Sequence, residues 1–398
     1  MYHFNLNKLG FSTQQNVDET NFKKDNVENN GVKTKKKKSK RIFYFDALRA
    51  LAILAVILIH VASRMKLSIC GYYSPQLNFH WLFGDFFYAG MAIGVDIFLM
   101  LSGALSLGRE WSIRSFLGKR IPRIAAPFLF WGFVLCMIVV ILQYQFPEFI
   151  HVLDVLNAKE IFHFVIGAYR AKSFGFGPYW FFWMILGTYL IMPIFNKWLL
   201  HSDLKEAEYF LAIWLISCIF DATINYPFPI KISYFTSPIG FVVLGYYLRH
   251  TKRKIFNNKY IPIILIIIGL SCLLYGSFLY STPHKLFKFD RYSIFNAILV
   301  TGVFLLFRSF SDVNFGVLSR PNGIVQKSIF SIAKYSYGFY LLHQVIMNLV
   351  IHALRYFNLY HGYVSLFFII FVATLAISWF LMAVLNRIPY VNQVIGAK

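Results

Sequence analysis

Three ionisable side chains interrupt an otherwise apolar stretch of the sequence, FDALRALAILAVILIH, which runs from Phe45 to His60. Asp46 precedes Arg49 by three residues, so the two side chains can pair on one face of a helix. Arg49 and His60 are eleven residues apart, which places them on the same helix face about 16 Å apart along the axis. Because histidine exchanges protons near neutral pH, this face could carry acid–base chemistry.

A lipid environment makes these side chains costly, because a charge at the centre of a membrane helix costs about 2.5–3.5 kcal/mol. We therefore expect Asp46, Arg49 and His60 to face the protein interior or a watery cavity. The alternative interpretation is structural. Asp46 and Arg49 would form an ion pair that fixes helix packing, and His60 would be a hydrogen-bonded histidine at the membrane interface.

Other apolar segments also contain polar residues that could contact a ligand. Asp96 and Ser102 lie in GVDIFLMLSGALSLGRE, and His343 lies in SIAKYSYGFYLLHQV. Each has a packing alternative. The small residues Ser102 and Gly103 permit a close helix approach, and His343 could be a hydrogen-bonded packing histidine.

Two further groups flank the apolar segments. Arg114, Lys119, Arg120 and Arg123 cluster just before and at the start of the third segment. They suit a ligand that bears phosphate or simply anchor the cytoplasmic side of the protein. Tyr179 and Trp180 begin the fourth segment, where they form an interfacial aromatic belt or, less simply, a surface on which a sugar stacks.

The composition identifies the elements that must position these residues. Of 398 residues, 58% are hydrophobic and 14% are charged, and the mean hydropathy is +0.57. These values indicate an all-α, polytopic integral membrane helix bundle. The net charge of +22 is better explained by basic cytoplasmic loops than by nucleic-acid binding. The sequence contains no HExxH, GxSxG or CxxC pattern, so no metal site is implied.

About ten transmembrane helices are predicted, near residues 43–63, 85–107, 122–143, 178–195, 207–221, 235–248, 259–281, 293–309, 331–353 and 363–386. The strongly basic loops at 108–123 and 249–259 predict that both termini face the cytoplasm. The loop at 282–292 is a partial exception, because it is basic on the opposite side. Residues 1–40 are polar and end in a Lys-rich run, which predicts a disordered basic cytoplasmic tail.

Five stretches together resemble the membrane-bound acyltransferase family 3. They are YFDALRALAILAVILIH, VDIFLMLSGAL, KRIPRIAAPFLFW, PYWFFWMILGTYLIMPIF and SYGFYLLH, in this order along the chain. The resemblance runs from about Arg41 to Arg387. The compact form and the stretch IHALR at 351–355 further resemble the enterobacterial-common-antigen O-acetyltransferase subgroup.

The resemblance implies a transmembrane acyltransferase domain over residues 41–390, located in the bacterial inner membrane. Such an enzyme moves an acyl group, usually acetyl, from cytoplasmic acetyl-CoA or another acyl-CoA to a sugar hydroxyl of a cell-surface or lipid-linked polysaccharide. The implied partners are acyl-CoA, the glycan acceptor and membrane lipids. His60 would be the catalytic histidine, Arg49 would orient the donor, and Asp46 would hold Arg49.

The resemblance also suggests where the two substrates bind. CoA phosphates would contact the basic cluster of Lys119, Arg120 and Arg123. The expected substrate-binding residues are Asp96, Ser102, Tyr179, Trp180 and His343.

Two other functions use the same polar residues. A transporter or flippase of polysaccharide intermediates would need a polar pathway through the bundle, but it would neither consume acyl-CoA nor leave an ester on the glycan. A non-catalytic membrane scaffold would tolerate replacement of Arg49 and His60, and the presence of intramembrane ionisable residues argues against it.

Overall fold

The computed structural model describes residues 42–69, 79–224, 230, 233–280, 291–309 and 323–397. These residues belong to one compact unit of α-helices, and no β-strand occurs among them. The all-α prediction is therefore confirmed. The predicted tail at 1–40 lies outside the described residues.

The helices, in chain order, are α1 Phe43–Ile69, α2 Phe79–Gly90, α3 Gly94–Ser106, α4 Ile113–Gln145, α5 Ala158–Tyr169, α6 Trp180–His201, α7 Leu204–Ala222, α8 Pro238–His250, α9 Ile261–Tyr280, α10 Ile294–Ser309, α11 Ile324–Tyr356, α12 Tyr363–Leu385 and α13 Val391–Val394. Short 3₁₀ turns lie at Gly177–Tyr179, Ser233–Phe235 and Lys254–Asn257.

Every predicted apolar segment coincides with helix, although the second is divided between α2 and α3. Within the described ranges, six spans are long and apolar enough to cross a membrane. They are α1, α2 together with α3, α4, α6 with its preceding turn, α11 and α12. Two further apolar stretches, Ile261–Ser277 of α9 and Ile294–Ser309 of α10, are shorter. The protein is therefore a membrane protein.

Helix α1 lies at the centre of the bundle and contacts α2, α3, α10, α11 and α12. It contains neither Gly nor Pro, and Ala, Leu and Ile favour an uninterrupted helix in an apolar environment. Leu48, Ile53 and Ile57 are fully buried against these neighbours. Since α1 is surrounded by protein, its polar side chains meet other helices, as their cost in lipid predicts.

Helices α3 and α8 approach each other closely at two glycines. A Cβ atom on Gly103 would lie 1.8 Å from the carbonyl oxygen of Val242, and one on Gly245 would lie 2.0 Å from that of Met100. No side chain fits at either position. The packing interpretation of Gly103 is therefore correct, and the contact fixes the helix that carries its neighbour Ser102.

The loop before α6 is attached to α11. The Tyr340 hydroxyl donates a hydrogen bond to the carbonyl oxygen of Pro178. Gly175 has a φ of +71°, which favours glycine, and a Cβ atom there would lie 3.0 Å from Cγ2 of Val345 and 3.3 Å from Nδ2 of Asn348 on α11. These contacts place the loop beside the polar middle of α11.

Candidate active site

Two histidines that are far apart in the sequence meet in the centre of the bundle. The imidazole rings of His60 on α1 and His343 on α11 stack with centroids 5.0 Å apart and an interplanar angle of 3°. The packing of α1 against α11 produces this contact. The structure thus joins two residues that the sequence identified separately.

The hydrogen bonds of His343 define its tautomer. Its Nδ1 atom lies 2.8 Å from the carbonyl oxygen of Tyr340 and 3.2 Å from that of Phe339. A carbonyl oxygen can only accept, so Nδ1 carries the hydrogen and the Nε2 atom of the neutral ring carries a lone pair. In the described part of the chain Nε2 is buried and has no hydrogen-bond partner. His343 is therefore chemically able to accept a proton.

Positive charges surround His60, which is half-buried. Arg64, one helical turn further along α1, and Arg291, just before α10, both lie within electrostatic range of its ring. The Arg291 guanidinium also lies 4.4 Å from the centre of the Trp180 ring. Cationic groups beside an imidazole suit the stabilisation of a developing oxyanion.

Asp46 and Arg49 form the predicted ion pair. Nη1 of Arg49 lies 2.9 Å from Oδ1 of Asp46, and the side chain of Asp46 is only 4% exposed. The Arg49 side chain is 29% exposed because it borders a cavity. The pairing is confirmed, and it leaves Arg49 held in place with one side facing open space.

That space, which we call the Arg49 cavity, has a volume of about 90 Å³. Its polar lining residues are Arg49, Ser102, Arg120, Tyr189, Ser336, Tyr337 and Tyr340. The cavity lies between α1, α3, α4, α6 and α11, near the first half of α1.

Arg120 is the member of the predicted basic cluster that lines this cavity. It donates a hydrogen bond to the Ser106 hydroxyl and lies over the rings of Phe116 and Tyr189, 5.5 and 5.8 Å from their centres. Lys119 and Arg123 are exposed and do not line the Arg49 cavity.

A second, larger space lies towards the end of α1, and we call it the Arg64 cavity. Its volume is about 620 Å³. Its polar lining side chains are Arg64, Lys172, Ser173, Gln344, Asn348, His352, Arg355 and Tyr360. The backbone of the loop before α6 completes the wall at Gly175 and Gly177.

Along both helices, the stacked histidines lie between the residues that line the two cavities, although neither ring lines a cavity itself. Along α1, Arg49 lines one cavity and Arg64 lines the other, with His60 between them. Along α11, Tyr340 and Gln344 line the two cavities on either side of His343. The order is the same on both helices, so two ligands could approach the histidine pair from opposite directions.

The other predicted substrate-binding residues take different positions. Ser102 lines the Arg49 cavity, while its hydroxyl donates to the carbonyl oxygen of Phe98 at 2.9 Å. Asp96 is fully buried and accepts a hydrogen bond of 2.8 Å from Nδ2 of Asn296. It lines neither cavity.

The two aromatic residues at the start of the fourth segment also differ from each other. Tyr179 is 1% exposed and packs between the rings of Phe128 and Phe176. Trp180 is 38% exposed and stacks with Arg291. The structure brings Trp180 near the charged group beside His60, whereas the Tyr179 ring packs among aromatic side chains.

Arg64, Arg291, Gln344 and Arg355 were not identified as candidates from the sequence. The basic character of loop 282–292, the exception to the charge pattern, was the only signal for Arg291. The other three lie near helix ends or beside a more conspicuous residue, and only the packing of α1 on α11 brings them to one cavity.

Comparison with known families agrees with this architecture. The profile of the acyltransferase domain family, acyltransferase family 3, matches residues 42–383, which is most of the chain. No curated protein matches the chain, and no solved structure does. The matched region contains all the helices that carry the histidine pair and the two cavities. The chain therefore belongs to acyltransferase family 3 and is a membrane acyltransferase.

Proposed function

We propose that the protein is an O-acyltransferase of the bacterial inner membrane. It transfers acetyl, or another short acyl group, from cytoplasmic acyl-CoA to a sugar hydroxyl of a cell-surface or lipid-linked polysaccharide. The observation that supports this proposal is the stacked pair of His60 and His343 between two cavities. The resemblance to the enterobacterial-common-antigen O-acetyltransferase subgroup supports the class of acceptor.

In this proposal the Arg49 cavity receives the donor. With both termini in the cytoplasm, the first half of α1 lies on the cytoplasmic side, and Arg120 lies at that end of the bundle. Arg49, oriented by Asp46, and Arg120 provide guanidinium groups suited to a phosphate-bearing donor. The exposed Lys119 and Arg123 extend the positive charge at the surface.

The chemical step balances with the groups at the histidine pair. His60 accepts the proton of the acceptor hydroxyl, and the oxygen attacks the thioester carbonyl carbon. Arg291, which lies within electrostatic range of His60, stabilises the oxyanion of the tetrahedral intermediate. The C–S bond then breaks, the ester remains on the sugar, and the imidazolium of His60 returns its proton to the CoA thiolate. His343 stacks on His60 and fixes the plane of its ring.

The test uses the cell-surface glycan. The gene is deleted and complemented with wild type, His60→Ala or His201→Ala, a control at an exposed histidine at the end of α6. Alkali-labile acyl groups are then measured by mass spectrometry. We expect the wild type and His201→Ala to restore the esters and His60→Ala to restore none while remaining in the membrane.

Two outcomes would contradict this proposal. Normal esters in the His60→Ala strain would exclude the assigned histidine. Esters that do not change on deletion, together with lipid-linked glycan accumulating inside the cell, would favour a transporter of polysaccharide intermediates.

A further inference from the structure

The Arg64 cavity is lined by positive charge. Three cationic side chains, Arg64, Lys172 and Arg355, line its wall, and His352 adds an imidazole. Arg64 and Arg355 both lie within electrostatic range of His352, so these groups from α1 and α11 form one cluster. At about 620 Å³, the cavity falls within the range of roughly 300–1,000 Å³ that is usual for ligand pockets.

No carboxylate lines the cavity among the described residues. In the same part of the chain, Arg64, Lys172 and Arg355 form no ion pair with the protein. Glu160 lines an adjoining cavity of about 550 Å³ that shares Lys172, but it does not line this one. The positive charge is therefore directed at the open space instead of being neutralised by the fold.

Membrane anchoring does not explain this charge. In the proposed orientation the Arg64 cavity opens on the outer side of the membrane, whereas lysine and arginine that set topology concentrate on the cytoplasmic side. Three cations at the outer mouth run against that bias, so a ligand is the better explanation.

A polar side chain beside His343 gives an independent indication of a ligand. Gln344 lines the Arg64 cavity and is only 8% exposed. Its Oε1 atom is buried without a hydrogen-bond partner in the described part of the chain. A buried amide is costly when it is not satisfied, and a sugar hydroxyl in the cavity would donate to it one residue away from the histidine pair.

We propose that the Arg64 cavity binds the acceptor and that this acceptor carries an oxyanion, a carboxylate or a phosphate, which Arg64, Lys172 and Arg355 bind while Gln344 holds a sugar hydroxyl. This inference rests on the proposed function, and it adds a substrate class, because a neutral glycan would have no group for the three cations. The oxyanion has two possible sources: an acidic sugar of the glycan or the pyrophosphate of a polyprenyl carrier.

Binding of three probes to the full-length protein in lipid nanodiscs tests the inference and separates the sources. The probes are a glucuronate-containing tetrasaccharide, its carboxyl-reduced neutral counterpart and a neutral oligosaccharide linked to polyprenyl pyrophosphate. We expect one of the two anionic probes to bind at least about tenfold more tightly than the neutral tetrasaccharide. Arg355→Gln should reduce that advantage about tenfold, which corresponds to about 1.4 kcal/mol.

Two matched variants control for folding and for general charge. Arg355→Lys retains the positive charge and should retain most of the advantage. Arg170→Gln removes an exposed arginine that immediately precedes the loop but does not line the cavity, and it should bind all probes as the wild type does. Equal affinity for the anionic and neutral probes, or the same loss in Arg170→Gln as in Arg355→Gln, would overturn the inference.

The failure of this inference can be distinguished from failure of the proposed function. His60→Ala should abolish acetyl transfer from acetyl-CoA in the same nanodiscs while leaving binding of the anionic probe unchanged. If that variant loses transfer but the anionic probes show no advantage in the wild type, only the oxyanion inference is wrong. If that variant keeps transfer, the assignment of His60 is wrong whatever the probes show.

Discussion

The two cavities on either side of the histidine pair differ in the interactions that their arginine side chains make with the rest of the protein. In the Arg49 cavity, Arg49 is paired with Asp46, and Arg120 is held by Ser106 and two aromatic rings. In the Arg64 cavity, Arg64 forms no ion pair within the described residues, and Arg355 lies over the Tyr360 ring at 5.0 Å. Arg49 thus has an anionic partner, Asp46, whereas the described residues provide no carboxylate for the cations of the Arg64 cavity.

The two cavities also differ in volume: the Arg49 cavity has about 90 Å³ and the Arg64 cavity about 620 Å³. The smaller value lies well below the usual range of ligand pockets, roughly 300–1,000 Å³. If the donor binds there, as proposed, lining side chains such as Tyr337 must move. The larger cavity can admit a ligand as it stands. Under the proposed assignment, the donor cavity would have to open when acyl-CoA binds, whereas the acceptor cavity is already open.

The largest expected effect is a loss of kcat when His343, which lies between the residues of the two cavities, is replaced. His343→Ala removes both the stacked ring and the Nε2 lone pair, whereas His343→Phe keeps a ring that can stack on His60. A general base such as His60 contributes about 10²–10⁴-fold to the rate. If His343 positions His60, the alanine variant should lose much of that contribution, about 10²-fold or more in kcat. The phenylalanine variant should lose less than about tenfold. Acetyl transfer in nanodiscs measures both variants, and equal losses would show that the His343 nitrogen itself exchanges the proton.

A smaller effect, on thermal stability, is expected when Gly103 beside the Arg49 cavity is replaced. Gly103→Ala would place a methyl group against the Val242 carbonyl oxygen and force α3 away from α8, at a cost of about 1–3 kcal/mol. Ser102→Ala alters the neighbouring residue, which lines the cavity, without a clash. Thermal unfolding in detergent should therefore show a lower Tm for Gly103→Ala than for Ser102→Ala. The reverse order would contradict the packing account.

The assignment of the donor to the Arg49 cavity predicts a change of about tenfold. Arg120→Gln should raise KM for acetyl-CoA about tenfold, since a charge-assisted hydrogen bond contributes about 1.5–3 kcal/mol, while KM for the acceptor stays constant. Arg123→Gln, at an exposed site outside the cavity, is the control. If instead Arg120→Gln changes only the KM of the acceptor, the two cavities have been assigned the wrong way round.

The smallest effect is expected for an arginine outside both cavities. Arg253 binds Glu208 through two hydrogen bonds, but its side chain is 58% exposed, and exposed ion pairs contribute little to stability. Arg253→Gln should leave the Tm and both KM values unchanged. A marked loss of transfer would show that the surface near α8 takes part in the reaction.

Much of the fold could be predicted from the sequence because the hydrophobic pattern of a segment predicts where each individual helix lies along the chain. The ten apolar segments all coincide with helix, and the three-residue spacing of Asp46 and Arg49 predicted their ion pair. The break between α2 and α3 at residues 91–93 was missed, because a hydrophobic run does not reveal where its backbone leaves the helical path.

The site was only partly predictable because it depends on which helices become neighbours. His60 and His343 were each identified by residue type in an apolar segment, but no local pattern encodes their stacking. Asp96 and Tyr179 carry the same signal as the residues that line the cavities, yet their side chains pack against Asn296 and aromatic rings instead. Polar residues in apolar helices identify candidates, and tertiary packing decides which of them reach open space.

The position of the stacked rings of His60 and His343 also bears on ion leakage across the membrane. The two rings lie between one cavity that, in the proposed orientation, faces the cytoplasm and another that faces outward. In the bacterial inner membrane, the location proposed above, the cell maintains a proton gradient, so on this proposal the two rings would also obstruct movement of ions between the cavities. Replacing both histidines with glycine is expected to make the membrane leaky, and such a variant would slow growth even in cells that need no acylated glycan.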